Sequence, residues 1–397
     1  MNRNDFLMLN QDIIFFDNAA TTFKPVSVVN AITDYYNKYC CNAFRGDYKI
    51  GLIVDDNINN TRNLVKDYIN ANSTKEIIFT SGTTEGINIV AAGYFRKILK
   101  EHDEIILSKG DHASNIMPWQ RLASELNLVI KYVDLDDSNY VTLDNIKRVV
   151  TPNTKVISLA YISNVIGDLR PIKEITNFAH QNGIYVVCDA SQSVGHRKTD
   201  VQDLDVDFLV FSGHKMYGPT GIGVLYGKKD LLELTDPINL GGGMNETFTD
   251  FDYQLKELPT RFEAGTLNIA GIIGLGEAIK YINSIGIDKI SEYEYKLREY
   301  LVNKLIKLDY IDIINLESDS GIVTFNVDGI FAQDVAIYLD KYNICVRAGN
   351  HCTKLLKDVI NVRNTIRISL AFYNTTEEID TLVDLLSDKD KIIREML

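Results

Sequence analysis

The sequence lacks the features that mark secreted, membrane and nucleic-acid-binding proteins. Its five cysteines, at positions 40, 41, 188, 345 and 352, form no Cys-x-x-Cys pair, which argues against a disulfide framework and a structural zinc site. It has no apolar run of about 18 residues or more and no signal-peptide pattern, so we expect a cytoplasmic protein without a membrane span. The 54 acidic residues outnumber the 41 basic ones, and a net charge of −13 argues against nucleic-acid binding.

Proline is also scarce, and nothing in the chain reads as a linker. Only 7 prolines occur in 397 residues, and this length suggests two domains. Fully apolar strands, such as 104–107, 155–160 and 184–188, alternate with helices, a pattern typical of a parallel or mixed sheet covered on both faces. After about residue 265 the strands shorten between long helices. We therefore predict an α/β fold with a large domain at 15–265 and a small α+β domain formed by 1–14 and 266–397.

A lysine follows one of the apolar strands, in the segment Ser212-Gly213-His214-Lys215. The carboxyl end of a strand is where open α/β sheets bind ligands, and partial burial there lowers the pKa of an amine. Lys215 is therefore a candidate Schiff-base lysine. The alternative is an ordinary solvated loop lysine.

An aspartate ends another apolar strand, Val186-Val187-Cys188-Asp189. Its carboxylate needs a cationic or donor partner, and in pyridoxal phosphate (PLP) enzymes such a group pairs with the pyridinium nitrogen. Asp189 precedes Lys215 by 215 − 189 = 26 residues, so one cofactor could contact both. The alternative is a helix N-cap.

Two further segments carry candidate cofactor contacts. Thr83 and Thr84 stand just before a helix expected over 87–99, where free N–H groups favour a phosphate, although a capping box explains the same residues. His112 follows the strand at 104–107. It is a candidate to stack on a ring or to act as acid or base, against the alternative of a solvated loop histidine.

Near the C-terminus a cysteine and an arginine stand out. Cys352 lies in a Gly-containing loop close to Arg347 and His351, a setting that favours an accessible thiolate. Arg367 interrupts an apolar strand and needs an anionic partner, either a substrate carboxylate or an internal carboxylate. Since these groups come from both halves of the chain, we expect one site between two domains.

Together these motifs resemble the PLP-dependent class V aminotransferase family, and within it the Suf-type (group II) cysteine desulfurases. The resemblance runs from about residue 15 to the C-terminus and rests on the segments at 16–20, 83–88, 115–120, 211–221, 261–266 and 347–352. It implies PLP fold type I, with a mostly parallel seven-stranded sheet sandwiched by helices and the nucleophilic cysteine in the small domain.

The resemblance also implies a role for each candidate residue. Lys215 would hold PLP and shuttle a proton, His112 would stack on the ring, and Asp189 would pair with the ring nitrogen. Gln192 would donate to the ring hydroxyl, and Cys352 would be the persulfide-forming nucleophile. The remaining implied contacts are the phosphate ligands Thr84, Ser212, His214 and Thr266, the last from the other subunit of a homodimer, and the substrate-binding residues Asn164, Arg347 and Arg367. Thr83 stays a candidate cofactor contact from its place beside Thr84.

The implied reaction takes sulfur from L-cysteine, releases L-alanine and leaves a persulfide on Cys352. A small sulfur-acceptor protein of an iron–sulfur assembly system would then remove the persulfide. No resident metal is implied. The cysteine segment is short, as in the Suf type, and Gln333 stands where relatives with a zinc-bearing acceptor tend to carry histidine, which favours a zinc-free acceptor.

Four positions depart from the family pattern: Phe44, Leu267, Asn350 and Leu355. They bear on rate and acceptor choice more than on reaction type. The alternatives are a selenocysteine lyase, another class V lyase or aminotransferase, and a non-catalytic scaffold. The free thiol argues against a kynureninase-like enzyme, and the intact set of catalytic residues argues against a scaffold.

Overall fold

The computed structural model describes residues 2–44 and 46–396, so Met1 and Leu397, the outermost residues of the predicted small domain, lie outside it. Within these ranges the strands are, in chain order, β1 Ile14–Phe15, β2 Ile77–Thr80, β3 Glu104–Ser108, β4 Val129–Val133, β5 Thr154–Ala160, β6 Tyr185–Asp189, β7 Phe208–Ser212, β8 Gly223–Gly227, β9 Asn245–Phe248, β10 Tyr253–Leu255, β11 Ile311–Ile313, β12 Ile322–Val327, β13 Ile344–Cys345, β14 Arg347–Gly349 and β15 Thr365–Ser369.

Helices alternate with these strands over most of the chain. They are α1 Val26–Lys38, α2 Lys49–Tyr68, α3 Thr83–Ile89, α4 Arg96–Ile98, α5 Met117–Leu126, α6 Leu143–Val149, α7 Ile172–Gln181, α8 Val201–Leu204, α9 Lys229–Leu234, α10 Ile269–Ile285, α11 Ile287–Leu305, α12 Ala332–Asp340, α13 Lys357–Ile360, α14 Thr376–Leu386 and α15 Lys389–Met396. In the described part of the chain no helix combines the length and the apolar character needed to cross a membrane.

The main sheet has seven strands in the order β2-β8-β7-β6-β5-β3-β4, and β8 runs antiparallel to both of its neighbours while the other pairs are parallel. Because side chains alternate across a strand, Ile106 enters one core and its neighbours Ile105 and Leu107 enter the core on the other face. Helices α1, α2 and α10 pack together over the first core. The predicted α/β fold with a mostly parallel seven-stranded sheet is confirmed.

A second sheet, β11-β12-β15-β14, is antiparallel and has its own core with α11, α12 and α14. The short strand β1 pairs with β13, and this pairing joins the N-terminal segment to the C-terminal part. The helical part of this separate core begins with α11, because α10 packs against the first core, and the domain bounds given above stay a prediction.

Helix α2 begins at Lys49, and Val54 and Ile58, about one turn apart, are both buried on its apolar face. The helix expected over 87–99 begins earlier, at Thr83, and contains a π-helical stretch at Val90–Phe95. The hairpin β9–β10 was not predicted, because its residues are mostly exposed and lack a clear apolar alternation.

Candidate active site

A cavity of about 200 Å³ opens at the carboxyl ends of β5, β6 and β7, where strands β14 and β15 of the second sheet approach. It is lined by Ala19, Ala20, Thr83, Thr84, His112, Ser114, Asn164, Asp189, Ser191, Ser212, His214, Lys215, Arg347, His351, Cys352 and Arg367. The structure thus brings together all of the predicted site residues except Gln192 and Thr266. As expected from parallel strands, residues that follow different strands meet at one edge of the sheet.

Lys215 ends a short turn, Gly213–Lys215, directly after β7. Burial lowers the pKa of its amine, Asp189 opposes that shift, and the positive charges of Arg367 and Arg347 add to it. A lowered pKa leaves a larger fraction of the amine neutral, which is the form that attacks a carbonyl. The site therefore favours Schiff-base chemistry over the alternative of a solvated lysine.

A chain of hydroxyl groups links Asp189 to the start of α3. Asp189 Oδ1 accepts hydrogen bonds from the Ser191 N–H at 3.0 Å and from the Ser191 hydroxyl at 2.5 Å. The Ser191 hydroxyl lies 2.6 Å from that of Thr83, which lies 2.9 Å from that of Ser212. The segment after Asp189 forms turns rather than a helix, so the carboxylate faces the cavity instead of capping a helix.

The other end of the cavity has the character of an anion site. Thr84 Oγ1 lies 2.8 Å from Ser114 Oγ, and both side chains line the cavity beside the first turn of α3. Glu85 accepts from the Ser81 N–H, but the N-cap of α3 is Gly82, which has no side chain, so the capping box considered above does not form. Burial, with the charge of Lys215, lowers the pKa of His214 to about 4, so this imidazole is neutral near pH 7.

His112 is partly buried rather than solvated. Burial, reinforced by the charge of Lys215, lowers its pKa and favours the neutral ring. Its Nδ1 accepts from the Ser114 N–H at 3.2 Å, which assigns the ring proton to Nε2. The ring is thus oriented by its own turn and keeps a donor available to the cavity.

The two arginines share a carboxylate that sequence reasoning missed as a partner. Arg367 donates to Asp17 Oδ1 at 2.8 Å and to the Asn164 carbonyl at 2.9 Å, while Arg347 lies 3.7 Å from Asp17 Oδ2. The internal ion pair considered for Arg367 is therefore present. Its buried Nε has no hydrogen-bond partner.

The Cys352 loop has an uncommon backbone. His351 and Cys352 have φ values of 51° and 61°, in the left-handed region that non-glycine residues rarely adopt. Asn164 Nδ2 donates to the His351 carbonyl at 2.9 Å, and the Ala113 N–H donates to the Cys352 carbonyl at 3.0 Å. These bonds hold the loop while the Cys352 side chain stays exposed at the cavity.

Gln192 and Thr266 lie elsewhere. Gln192 donates its side-chain N–H to the carbonyl of Ala19 at 2.8 Å. Ala19 lines the cavity, whereas Gln192 does not. Thr266 is exposed on the surface, just before α10. Their predicted contacts with a cofactor stay predictions.

His351 lines the cavity but was noted in the sequence only as a neighbour of Cys352. Its Nε2 lies 2.8 Å from Thr365 Oγ1 and 3.1 Å from the Thr365 carbonyl, whereas its buried Nδ1 has no partner. Burial and the nearby charges of Arg367 and Arg347 lower its pKa to about 3. The ring is therefore neutral in the folded protein at every moderately acidic pH.

We expect this buried histidine to make folding sensitive to acid. Its pKa falls from 6.5 to about 3 on folding, so the unfolded chain gains a proton first and the free energy of unfolding drops below pH 6.5. Between pH 7 and 5 the loss from this residue is about 2 kcal/mol. His351→Asn, which tolerates a left-handed backbone, removes that part of the slope.

Denaturant unfolding at one protein concentration, at pH 7 and pH 5, measures the effect. His102→Asn, which replaces an exposed histidine, is the matched control and should keep the wild-type dependence. An identical pH dependence in wild type and His351→Asn would contradict a neutral buried His351.

The described residues contain no group of three or more histidine, cysteine, aspartate or glutamate side chains placed to hold a metal ion.

Family comparison agrees with the site geometry. The family described as aminotransferase class-V matches residues 14–382. A "Probable cysteine desulfurase" of Halalkalibacterium halodurans is 42% identical over 382 residues, 95% of this chain and 94% of the relative. A protein of the same name from Staphylococcus aureus is 40% identical over 96% of this chain and 94% of its own.

Two solved structures are similar over nearly the whole chain. The apo structure of a cysteine desulfurase from Thermococcus onnurineus NA1 has a TM-score of 0.93 and 37% identity, covering 97% of this chain and 96% of its own. The cysteine desulfurase CsdA of Escherichia coli, in an S-sulfonic acid form, has a TM-score of 0.93 and 33% identity, covering 100% and 98%.

Proposed function

Since the chain belongs to the class-V aminotransferase family, we propose that it is a PLP-dependent cysteine desulfurase that takes sulfur from L-cysteine. The family predicted from the motifs is confirmed. The observation that carries the proposal is a single cavity that holds a lysine with a lowered pKa, a buried carboxylate and an exposed cysteine. A transaminase needs the first two groups but not the thiol.

The cavity fits PLP by the chemistry of its donors. Lys215 offers the amine, Asp189 faces the cavity between β6 and the hydroxyl chain, and Thr84 with Ser114 offers hydroxyl donors at the far end. The same residues suit an anionic, aromatic cofactor better than a neutral one. When bound, PLP supplies an electron sink for the carbanion formed at a substrate Cα.

Each protein group then has one task. With PLP bound, Lys215 Nζ would accept the Cα proton, and the negative charge of Asp189 would favour a proton on the ring nitrogen of the cofactor. Arg367 and Arg347, which both line the cavity, would bind the substrate carboxylate, and Asn164 keeps the Cys352 loop beside them. His112 packs a neutral ring against the cofactor.

The sulfur step belongs to Cys352. Its thiolate attacks the substrate sulfur, an S–S bond forms, and the substrate Cβ–S bond breaks with its electron pair moving toward Cβ. Cβ then takes one proton and Cα regains the proton held by Lys215 Nζ, which completes L-alanine, and the sulfur stays on Cys352 as a persulfide. An external thiol or an acceptor protein removes it.

A product assay tests the proposal. Protein loaded with PLP and given L-cysteine and a thiol reductant should form alanine and sulfide in equal amounts. The control is the same protein with L-alanine, which offers no sulfur. Activity on L-selenocysteine with none on L-cysteine would replace the proposal by a selenocysteine lyase, and pyruvate as product would replace it by a β-eliminating lyase.

We further propose that the working unit is a homodimer. An apolar surface around α2 supports this, because Phe44, Tyr48, Leu52 and Ile53 are all more than 40% exposed. A second cavity, of about 690 Å³, opens beside it and is lined by Gly265 and Leu267, on either side of Thr266. A partner subunit seated there would cover the apolar side chains and receive Thr266 at its own phosphate site.

Subunit mixing tests the role of Thr266. We expect Thr266→Ala to weaken PLP binding and Lys215→Ala to be inactive. If Thr266 acts on the neighbouring site, a hybrid of the two variants contains one intact site, with Lys215 from one chain and Thr266 from the other.

The measurement is activity at low PLP after the two proteins are mixed, unfolded and refolded together. Recovery of up to about half of the wild-type value per hybrid is expected, since one of its two sites is intact. Recovery no greater than the sum of the separate variants would show that Thr266 serves its own chain, and a monomer by light scattering would exclude the dimer.

The acceptor of the sulfur is proposed to be a small protein with its own thiol, and the reaction to take place in the cytoplasm, where thiols stay reduced. Cys352 is exposed, and its loop at 350–355 presents Lys354 to solvent. Gln333 lies beside Gly349, which precedes this loop: its Nε2 is 3.9 Å from the point where a Cβ atom at Gly349 would lie. The lack of a histidine there supports a zinc-free acceptor serving iron–sulfur assembly.

A further inference from the structure

A completely buried arginine contacts Asp111, the residue that precedes His112. Arg170 is 1% exposed, and its two carboxylate partners, Asp111 and Asp168, are 0% and 2% exposed. Arg170 Nη1 donates to Asp111 Oδ1 at 2.5 Å and Arg170 Nε to Asp168 Oδ2 at 3.0 Å. Charges this deep are costly unless fully paired, so the three side chains form one unit, here called the Arg170 triad.

Both carboxylates of the triad accept further hydrogen bonds from other parts of the chain. Asp111 Oδ2 accepts from Asn115 Nδ2 at 2.8 Å and from the Ala160 N–H at 3.1 Å. Asp168 Oδ2 accepts from the Val141 N–H at 3.3 Å. The triad therefore joins the turn after β3 to the segment after β5, and it does so with directional bonds rather than packing alone.

Each end of the triad leads to a reactive residue. Asp111 is the residue before His112, and Asn115, bound to Asp111, closes the same turn. Asp168 and Arg170 close the loop that begins at Ser163 and Asn164, where the Ser163 N–H donates to the Asp168 carbonyl at 3.4 Å and the Arg170 N–H to the Tyr161 carbonyl at 3.0 Å.

That second loop holds the cysteine. Asn164 donates to the His351 carbonyl and accepts from the Thr353 hydroxyl at 3.1 Å, so it grips both sides of Cys352. A direct hydrogen bond also joins the two segments, because the Ala113 N–H donates to the Cys352 carbonyl. The His112 turn and the Cys352 loop are thus connected twice, once directly and once through the triad and Asn164.

We propose that the Arg170 triad is a positioning device that keeps His112 and Cys352 in register, so that the thiolate and the ring-stacking histidine meet one substrate in the proposed reaction. Arg170, Asp111 and Asp168 touch no reacting atom in this scheme. They act through the two segments that they join. The coupling of these segments does not depend on the proposed desulfurase activity, whereas its effect on catalysis does.

The coupling predicts that loosening the triad frees both segments together. In Asp111→Asn/Arg170→Gln/Asp168→Asn the three charges are removed in similar volumes, so no buried charge is left unpaired. We expect amide hydrogen exchange in peptides covering 110–116 and 348–356 to rise by about tenfold or more in both. Arg170→Lys keeps the charge but loses the fork and should show a smaller rise in the same two peptides.

Asp207→Asn is the matched control. Asp207 is 5% exposed, accepts from the Val186 N–H at 2.7 Å and pairs with His180, but it lies at the amino ends of β6 and β7, away from the cavity. A comparable loss of stability there should leave both peptides at the wild-type exchange rate. With L-cysteine as substrate, the triad variants should lose kcat more than they change KM.

The outcomes separate cleanly. A rise confined to 110–116, a rise in neither peptide, or an equal rise in Asp207→Asn overturns the proposal. If the triple variant does not fold, Arg170→Lys decides the matter on the same two peptides. A wild-type protein that yields no alanine from cysteine defeats the proposed function instead, and leaves the exchange result to stand alone.

Discussion

Replacing Cys352 with serine is expected to remove nearly all sulfide release from L-cysteine, by about a thousandfold or more. The hydroxyl fits the same space, but it cannot accept a sulfur atom as a thiolate does. Since the loop is held by backbone groups, through the Cys352 carbonyl and its neighbours, the substitution leaves the hydrogen bonds of the loop in place.

The same variant separates binding from transfer. Lys215 and Arg367 remain, so L-cysteine should still perturb the cofactor absorbance of Cys352→Ser while alanine formation stops. In wild-type protein, mass spectrometry after a short exposure to cysteine should find an addition equal to one sulfur atom on the peptide that contains Cys352.

Cys40→Ser is the matched control, since Cys40 is also exposed but lies outside the cavity. It should keep full activity and the sulfur adduct. Alanine formation by Cys352→Ser at the wild-type rate would show that the assignment of the nucleophile is wrong, and would favour the selenocysteine-lyase alternative, in which the thiol is less needed.

Turnover with cysteine alone should be limited by removal of the persulfide, because the short Cys352 loop restricts its reach. A thiol-bearing acceptor that docks beside 350–355 would then accelerate turnover without changing the rate at which the first sulfur is transferred. An acceptor that changes the rate of the first sulfur transfer instead would show that it acts on the formation of the persulfide and not on its removal.

The sequence predicted best those residues whose position depends on local structure. Lys215 and Asp189 follow apolar strands, and parallel strands place their carboxyl ends at one edge of a sheet, so short segments were enough to bring the two together. Thr83, Thr84 and His112 share that property. Their meeting at one cavity follows from the topology of a single sheet.

Pairings between distant segments could not be predicted in this way. Arg367 was expected to need an anion, but its bond to Asp17 joins residues 350 positions apart, and either an internal or a substrate carboxylate satisfied the pattern. The Arg170 triad was missed because a charge inside a loop segment reads as solvated. Only the fold shows that the charged side chains of this loop, Asp168 and Arg170, are buried.

Burial was likewise invisible in the sequence for His351. Its neighbours in the chain, Asn350 and Cys352, are exposed, and no periodicity marks a single buried residue in a turn. The left-handed backbone at His351 and Cys352 depends on bonds from Asn164 and Ala113, which come from other parts of the chain.

Lys215→Ala is the second substitution with a large expected effect, because it removes two functions at once. The variant loses the amine that links covalently to PLP and the base that takes the Cα proton, and a positioned base alone contributes about 10²–10⁴-fold. Wild-type protein should be yellow, and borohydride should trap PLP on the peptide containing Lys215. The variant should yield no trapped adduct there and no alanine.

The matched control is a neighbouring lysine with a similar electrostatic setting. Burial lowers the pKa of Lys24 to about 8, so this amine is also partly neutral and could react with an aldehyde. Its Nζ, however, donates to Thr21 Oγ1 at 2.9 Å and to the His214 carbonyl at 3.3 Å, and Lys24 does not line the cavity.

Lys24→Arg keeps a cationic donor at this position and should retain both the trapped adduct and activity. Trapping of PLP on Lys24 in the wild type, or covalent binding of PLP at the cavity in Lys215→Ala, would show that the lysine has been assigned wrongly. Because both amines have a lowered pKa, that property alone does not identify the reactive lysine.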